Sequence, residues 1–175
     1  MPTLYVCPLS RLDETLRGSG ARTVVTLLRP GGATTPLLRD IRHLHLDVSD
    51  IAEPLDGHVM PGTAHVDTLL RFAADWDGAA PLLIHCYAGV SRSTAAAFVL
   101  ACALQPEADE ATLACALRSA SPTATPNPRI VALADAMLDR RDRMIAAVAA
   151  IGRGAECFEG EPFRLELGQM PAYQS

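Results

Sequence analysis

Apolar residues recur along this chain with two different periods, and the alternation between them predicts the elements. Thr3 to Cys7 is short and rich in β-formers. Thr23-Val24-Val25-Thr26-Leu27-Leu28 is an almost unbroken apolar run, which predicts a strand buried on both faces. Ile41 to Val48 alternates apolar and polar residues, as a half-buried or edge strand does. Leu82-Leu83-Ile84, entered from Pro81, predicts another strand. Between these runs the spacing becomes helical. Ser10 to Leu16 predicts a helix with Ser10 as its N-cap and Gly18 and Gly20 as its stop. Val66, Leu69, Leu70, Ala73 and Trp76 mark one face of a second helix, ended by Gly78. Ala95, Phe98, Val99, Cys102 and Ala103 mark a third, broken at Pro106, and Glu107 to Ser119 predicts a fourth. Asn127 as N-cap and Pro128 at the first helical position open a long final helix. Its stripe runs from Ile130 to Val148 and is interrupted by Arg141, which predicts a bend or an exposed C-terminal half.

Arg29 to Gly32 and Ser121 to Pro126 have turn compositions, and Ser49 to Gly62, with its prolines, glycines and acids, predicts a mobile surface loop. Strands alternating with helices predict an α/β fold: a mostly parallel central sheet flanked by helices on both faces, with ligands at the carboxyl ends of the strands. The reading places a single domain at residues 1–151. Residues 152–175 show no clear period and are expected to form a C-terminal tail, packed on the surface or partly disordered.

Composition narrows the function classes. A chain of 175 residues that is 49% hydrophobic can bury one real core. The net charge is -5, a mild acidic balance that argues against a nucleic-acid scaffold, and lysine is absent, so arginine supplies all the non-histidine positive charge. Five cysteines, Cys7, Cys86, Cys102, Cys115 and Cys157, lack paired or zinc-type spacing and fit a reducing, cytoplasmic setting. Met1 to Val6 lacks the basic and apolar regions of a signal peptide, and no apolar stretch is long enough for a membrane span. His43 and His45 lie on the polar face of one strand with no third ligand nearby, so no metal site is expected; no cofactor is called for either.

The chemistry concentrates in His85-Cys86-Tyr87-Ala88-Gly89-Val90-Ser91-Arg92-Ser93, which joins the Leu82-Leu83-Ile84 strand to the third helix. A strand–loop–helix of this kind aims several backbone N–H groups and the positive end of a helix at one point, a cup for a tetrahedral oxyanion. A cysteine at its centre is favoured as the thiolate nucleophile. Arg92 can grip two phosphoryl oxygens with its planar fork, the amides of Tyr87 to Arg92 supply further donors, and Gly89 permits a backbone that a β-carbon would hinder. Ser93 can set a hydroxyl beside the sulfur, and His85 acts indirectly, through a hydrogen bond that fixes the loop. Tyr87 faces substrate and is a candidate to tune selectivity. For Cys102 and Cys115 the simple reading, small buried hydrophobes, is adopted; Cys7 or Cys157 is a candidate partner for a reversible disulfide with Cys86.

The loop resembles the signature of the cysteine-based protein tyrosine phosphatases, H-C-x-x-G-x-x-R-[ST], at every defined position. The resemblance extends more weakly over residues 40–135, and is nearest to the small dual-specificity branch. It implies a metal-free, two-step hydrolysis of phosphomonoesters through a cysteinyl-phosphate, with phosphorylated proteins or small phosphomonoesters as substrates. It also implies an aspartate on an upstream loop as general acid and then base. Asp50 is the candidate, with Asp47 and Asp56 as alternatives. Pro126-Asn127-Pro128 resembles the family segment that braces the phosphate loop, although Asn127 can equally be a plain helix cap. The loop interior holds no extra base, which disfavours the multiply phosphorylated headgroups of lipids. Two other functions stay open: a non-catalytic phosphate-binding module, and sulfur transfer of the rhodanese kind, which also uses a cysteine in an anion-cradling loop.

Overall fold

A computed structural model describes residues 1–33, 35 and 40–168. Its five strands are β1 (Thr3–Pro8), β2 (Thr23–Leu28), β3 (Arg42–Asp47), β4 (Leu82–Cys86) and β5 (Phe163–Glu166), in the sheet order β3-β2-β4-β1-β5. β1, β2, β3 and β4 are parallel, and β5 joins β1 antiparallel. Every residue of β2 and β4 is buried, as unbroken apolar runs in the middle of a sheet require. β3 keeps its alternation because it lies at the edge.

Helices cover both faces unequally. α1 (Leu12–Ser19) closes one face over a small cluster of Cys7, Leu12, Ala21, Val24 and Leu83. The opposite face carries α2 (Thr63–Ala74), α3 (Arg92–Leu104), α4 (Glu110–Ala120), α5 (Pro128–Met137) and α6 (Arg143–Ile151), whose apolar residues share the larger core with Val25, Leu27, Leu82 and Ile84. α3 is buried without a break from Arg92 to Cys102. Its run of alanines lets neighbours approach from every side, which is why it is apolar all round rather than striped. It is the axis of the larger layer and carries the end of the phosphate-type loop.

Four details differ from the sequence expectation. Ser10 does not cap a helix: Leu9–Arg11 forms a 3₁₀ turn, α1 begins at Leu12, and the Ser10 hydroxyl donates to Glu159 (2.6 Å). α4 starts at Glu110 rather than Glu107, because the Asp109 carboxylate accepts from the Thr112 amide (2.8 Å) and caps it there. The long final helix is two helices. Asp139, Arg141 and Asp142 all take positive φ, and Asp135 accepts the Asp142 and Met144 amides (2.8 Å each), starting α6 afresh. Residues of the expected tail form a real element: Phe163 and Leu165 point into the core while Arg164 and Glu166 face out. Four residues are too few for a period to stand out in the sequence. Of that tail, residues 169–175 lie outside the described residues.

The break between α5 and α6 aims Arg140 inward. Its guanidinium donates to the Cys102 carbonyl (2.6 Å) near the end of α3, to the Pro106 carbonyl (3.0 Å), and to Glu110 (3.0 Å). Arg143 also donates to Glu110 (3.1 Å). Burial opposes ionisation of Glu110, but the two arginines prevail and hold its carboxylate below the ordinary range. Removing this partner leaves Arg140 buried without a counter-charge, so Glu110→Ala is expected to destabilise the fold by about 3 kcal/mol in a urea titration.

Candidate active site

Cys86 ends β4 and Arg92 opens α3, so the loop between them stands at the carboxyl edge of the sheet. Four of the five carbonyls from Tyr87 to Ser91 each have a backbone partner outside the cup. Tyr87 accepts from the Leu9 amide (3.0 Å), Ala88 from Gly160 (2.8 Å), Val90 from Thr125 (2.9 Å) and Ser91 from Asn127 (3.2 Å) and Ala95 (2.9 Å). A peptide group whose carbonyl is held outward presents its N–H on the opposite side, so these bonds turn the amides towards the sulfur. The Gly89 amide donates to Cys86 Sγ (3.3 Å), and the Ser93 hydroxyl lies 3.1 Å from the same atom. Gly89 is needed twice over: its φ is 71°, and a Cβ there would stand 2.7 Å from the Pro8 nitrogen. Tyr87 is half exposed at the rim.

Arg92 is buried. Its Nη1 donates to the Val48 carbonyl (2.9 Å), whereas the buried Nε has no partner, which leaves a donor at the loop ready for an oxyanion. The Val48 contact ties the same arginine to the segment that carries Asp50. Asp50 Oδ1 accepts from the Ser91 hydroxyl (2.7 Å) and from Asn127 Nδ2 (2.9 Å), so this carboxylate sits against the loop. The two alternatives are elsewhere. Asp47 is exposed and pairs with His45 (3.3 Å), and Asp56 lies on the exposed loop, meeting His58 through its backbone carbonyl. Asn127 both caps and braces: Oδ1 accepts the Arg129 and Ile130 amides (3.1 Å each), and Nδ2 donates to Asp50 and to the Ile51 carbonyl (3.3 Å).

No family model and no curated protein sequence matches the chain. Solved structures do. DUSP15 is 19% identical with a TM-score of 0.62, over 86% of this chain and 91% of that one. Human DUSP28 is 22% identical with a TM-score of 0.60, over 81% and 96%. The human tyrosine phosphatase-like serine/threonine/tyrosine-interacting protein is 17% identical with a TM-score of 0.63, over 81% and 94%. The chain has the dual-specificity phosphatase fold.

Within that fold, the histidine before the cysteine is part of a chain of three side chains. His85 is fully buried, and its Nδ1 donates to the Cys86 carbonyl (3.4 Å), since a carbonyl only accepts. Its Nε2 must then accept, and does so from the Thr26 hydroxyl (2.7 Å). Thr26 in turn accepts from Nε2 of His43 (2.8 Å). Burial pushes His85 down to about 4, and His43 is lowered by burial and by the nearby His45, so the neutral tautomers that this relay needs are the ones present at neutral pH.

The structure brings together Cys86, its loop, Arg92, Asp50 and Asn127, all singled out in the sequence, and adds supports that were not: Leu9, Thr26, Val48 and Gly160. Nothing about Gly160 in the sequence marks it, yet a Cβ there would come within 3.1 Å of the Gly89 carbonyl oxygen. The candidate disulfide between Cys7 and Cys86 does not fit, because Cys7 packs in the small cluster on one face of the sheet and Cys86 in the large core on the other. Cys102 is buried as expected, whereas Cys115 is exposed, on the outer side of α4. Among the described residues no three His, Cys, Asp or Glu side chains converge as metal ligands, and no helix is long and apolar enough to cross a membrane.

The histidine relay has a consequence for stability. An unfolded His85 takes up its proton near pH 6.5, and the folded one only near 4. Between those values the unfolded chain holds more protons, so stability falls as pH drops from 6.5 to 4 and is level above that window. The loss attributable to His85 is expected to be about 3 kcal/mol, read as the difference in pH slope of chemical denaturation between the native protein and His85→Asn.

Proposed function

We propose that the protein is a cysteine-dependent phosphomonoester hydrolase acting on phosphotyrosine or other phosphorylated residues. The observation that carries this reading is Cys86 Sγ meeting the Gly89 amide and the Ser93 hydroxyl, in the loop whose Arg92 keeps a buried Nε without a partner among the described residues and whose Ser91 bonds the Asp50 carboxylate. The fold, shared with DUSP15 and DUSP28, supports it.

In the first step the Cys86 thiolate attacks phosphorus as the P–O ester bond breaks. Arg92 and the inward amides hold the equatorial oxygens, and Asp50 gives its proton to the departing oxygen. Asp50 suits this because Oδ1 is anchored by Ser91 and Asn127, leaving Oδ2 without a partner among the described residues. In the second step water attacks phosphorus, the Asp50 carboxylate accepts its proton, and the P–S bond breaks. The Ser93 hydroxyl donates to the thiolate as it leaves. No cofactor is required by these steps.

The test is release of p-nitrophenol from p-nitrophenyl phosphate, inhibited by vanadate. Cys86→Ser is expected to abolish it, and Asp50→Ala to lower kcat about 10²-fold while leaving KM within a few-fold. Binding of a phosphopeptide without turnover by the native protein would instead indicate the non-catalytic module. Thiosulfate turnover would indicate sulfur transfer. Alkylation gives an independent measurement. Iodoacetate, an anion, is expected to label Cys86 with protection by inorganic phosphate. It should spare Cys7 and Cys102, whose thiols burial pushes up to about 12. Peptide mass spectrometry reads the pattern.

A further inference from the structure

The loop interior has no second base, but the fold brings one into a cavity beside Tyr87 and Arg92. A cavity of about 380 Å³ is lined by Leu28, Arg29, Gly32, Ala33, Tyr87 and Arg92. Arg29 arrives there from the turn after β2, the neighbour of β4 in the sheet. It is exposed, and it pairs with no carboxylate among the described residues. Arg71 pairs with Asp67 and Arg164 with Glu166, whereas Arg17 and Arg22, also exposed and unpaired among the described residues, line no cavity with Arg92.

Local packing directs its stem. The Gly32 amide closes the turn on the Arg29 carbonyl (3.2 Å), and a Cβ on Gly32 would stand 2.9 Å from Arg29 Cγ and 3.1 Å from Nε. The glycine leaves room for the arginine to fold back across its own turn. Two guanidiniums in one cavity repel each other, and an anion near both removes that repulsion and gains charge-assisted hydrogen bonds. Leu28, Ala33 and the Tyr87 ring supply apolar wall between the two charges, as a small-ligand site requires.

We propose that Arg29 is a specificity-determining residue that binds a second anionic group. Preferred ligands are then phosphomonoesters that carry a carboxylate or another phosphate close enough to share the Arg92 cavity. This rests on the reading of the loop as a phosphate site, but not on turnover. Two sources supply that chemistry: a phosphotyrosine flanked by an acidic residue, and a small phosphorylated acid.

The test is calorimetric binding to Cys86→Ser protein, with and without Arg29→Ala, using two matched pairs. One pair is a phosphotyrosyl peptide with glutamate or alanine beside the phosphotyrosine; the other is 3-phosphoglycerate and glycerol 3-phosphate. The doubly anionic member of at least one pair is expected to bind about tenfold tighter, with the preference falling within twofold in Arg29→Ala and partly retained in Arg29→Lys. Which pair responds identifies the source. The same preference in both pairs with and without Arg29, or no preference in either, overturns the proposal. Failure of the catalytic reading appears separately, as discrimination in binding with no phosphate released by the native protein; there Arg29 keeps its role. If no phosphorylated probe binds at all, the phosphate site and this inference fall together.

Discussion

Four carbonyls of the Tyr87–Ser91 loop are held outward by separate stretches of chain: Leu9 after β1, Gly160 before β5, and Thr125 and Asn127 between α4 and α5. Everything proposed for the site depends on that arrangement. A five-residue loop that aims its amides at one sulfur concentrates partial positive charge and would reorient without restraint. Here the restraint comes from hydrogen bonds to four of the five carbonyls, on the far side of their peptide groups, which holds the interior in place before any anion arrives. The cost of ordering the loop is met during folding rather than during binding.

The same economy joins the segment carrying Asp50 to the Cys86 loop. Arg92 reaches back to the Val48 carbonyl, Ser91 reaches across to Asp50, and Asn127 bonds Asp50 and Ile51 while capping α5. The segment after β3 is therefore held at three points, by the side chains of Arg92, Ser91 and Asn127, all of which stand at helix starts. Asn127 illustrates why a choice between cap and brace was a false one: its amide has an acceptor oxygen for the helix and donor hydrogens for the acid loop, and uses both.

Motif and periodicity made much of this legible. The two buried strands, the alternating edge strand and the apolar central helix appear in the pattern because each is set by its own burial. The segments misread were those whose structure is set by a partner. The stripe shared by α5 and α6 is interrupted at Arg141, which predicts a bend, but the full break into two helices follows from the capping of α6 by Asp135 and the burial of Arg140. β5 exists because β1 offers it an open edge. Thr26 reads as an ordinary strand residue until the sheet sets it between His43 and His85.

By itself the sequence determined the α/β alternation, the cysteine–arginine loop, and a short set of aspartates near that loop's partners in the chain. These follow from local rules: burial periodicity, glycine's conformational freedom, and the spacing that lets one loop fold back on one anion. The tertiary structure decided which aspartate meets the loop, what holds four of its carbonyls outward, and which arginine, from the turn after a neighbouring strand, shares a cavity with Arg92. Such pairings join residues far apart along the chain. Their geometry is set by how strands are ordered in the sheet, which no single stretch of sequence encodes.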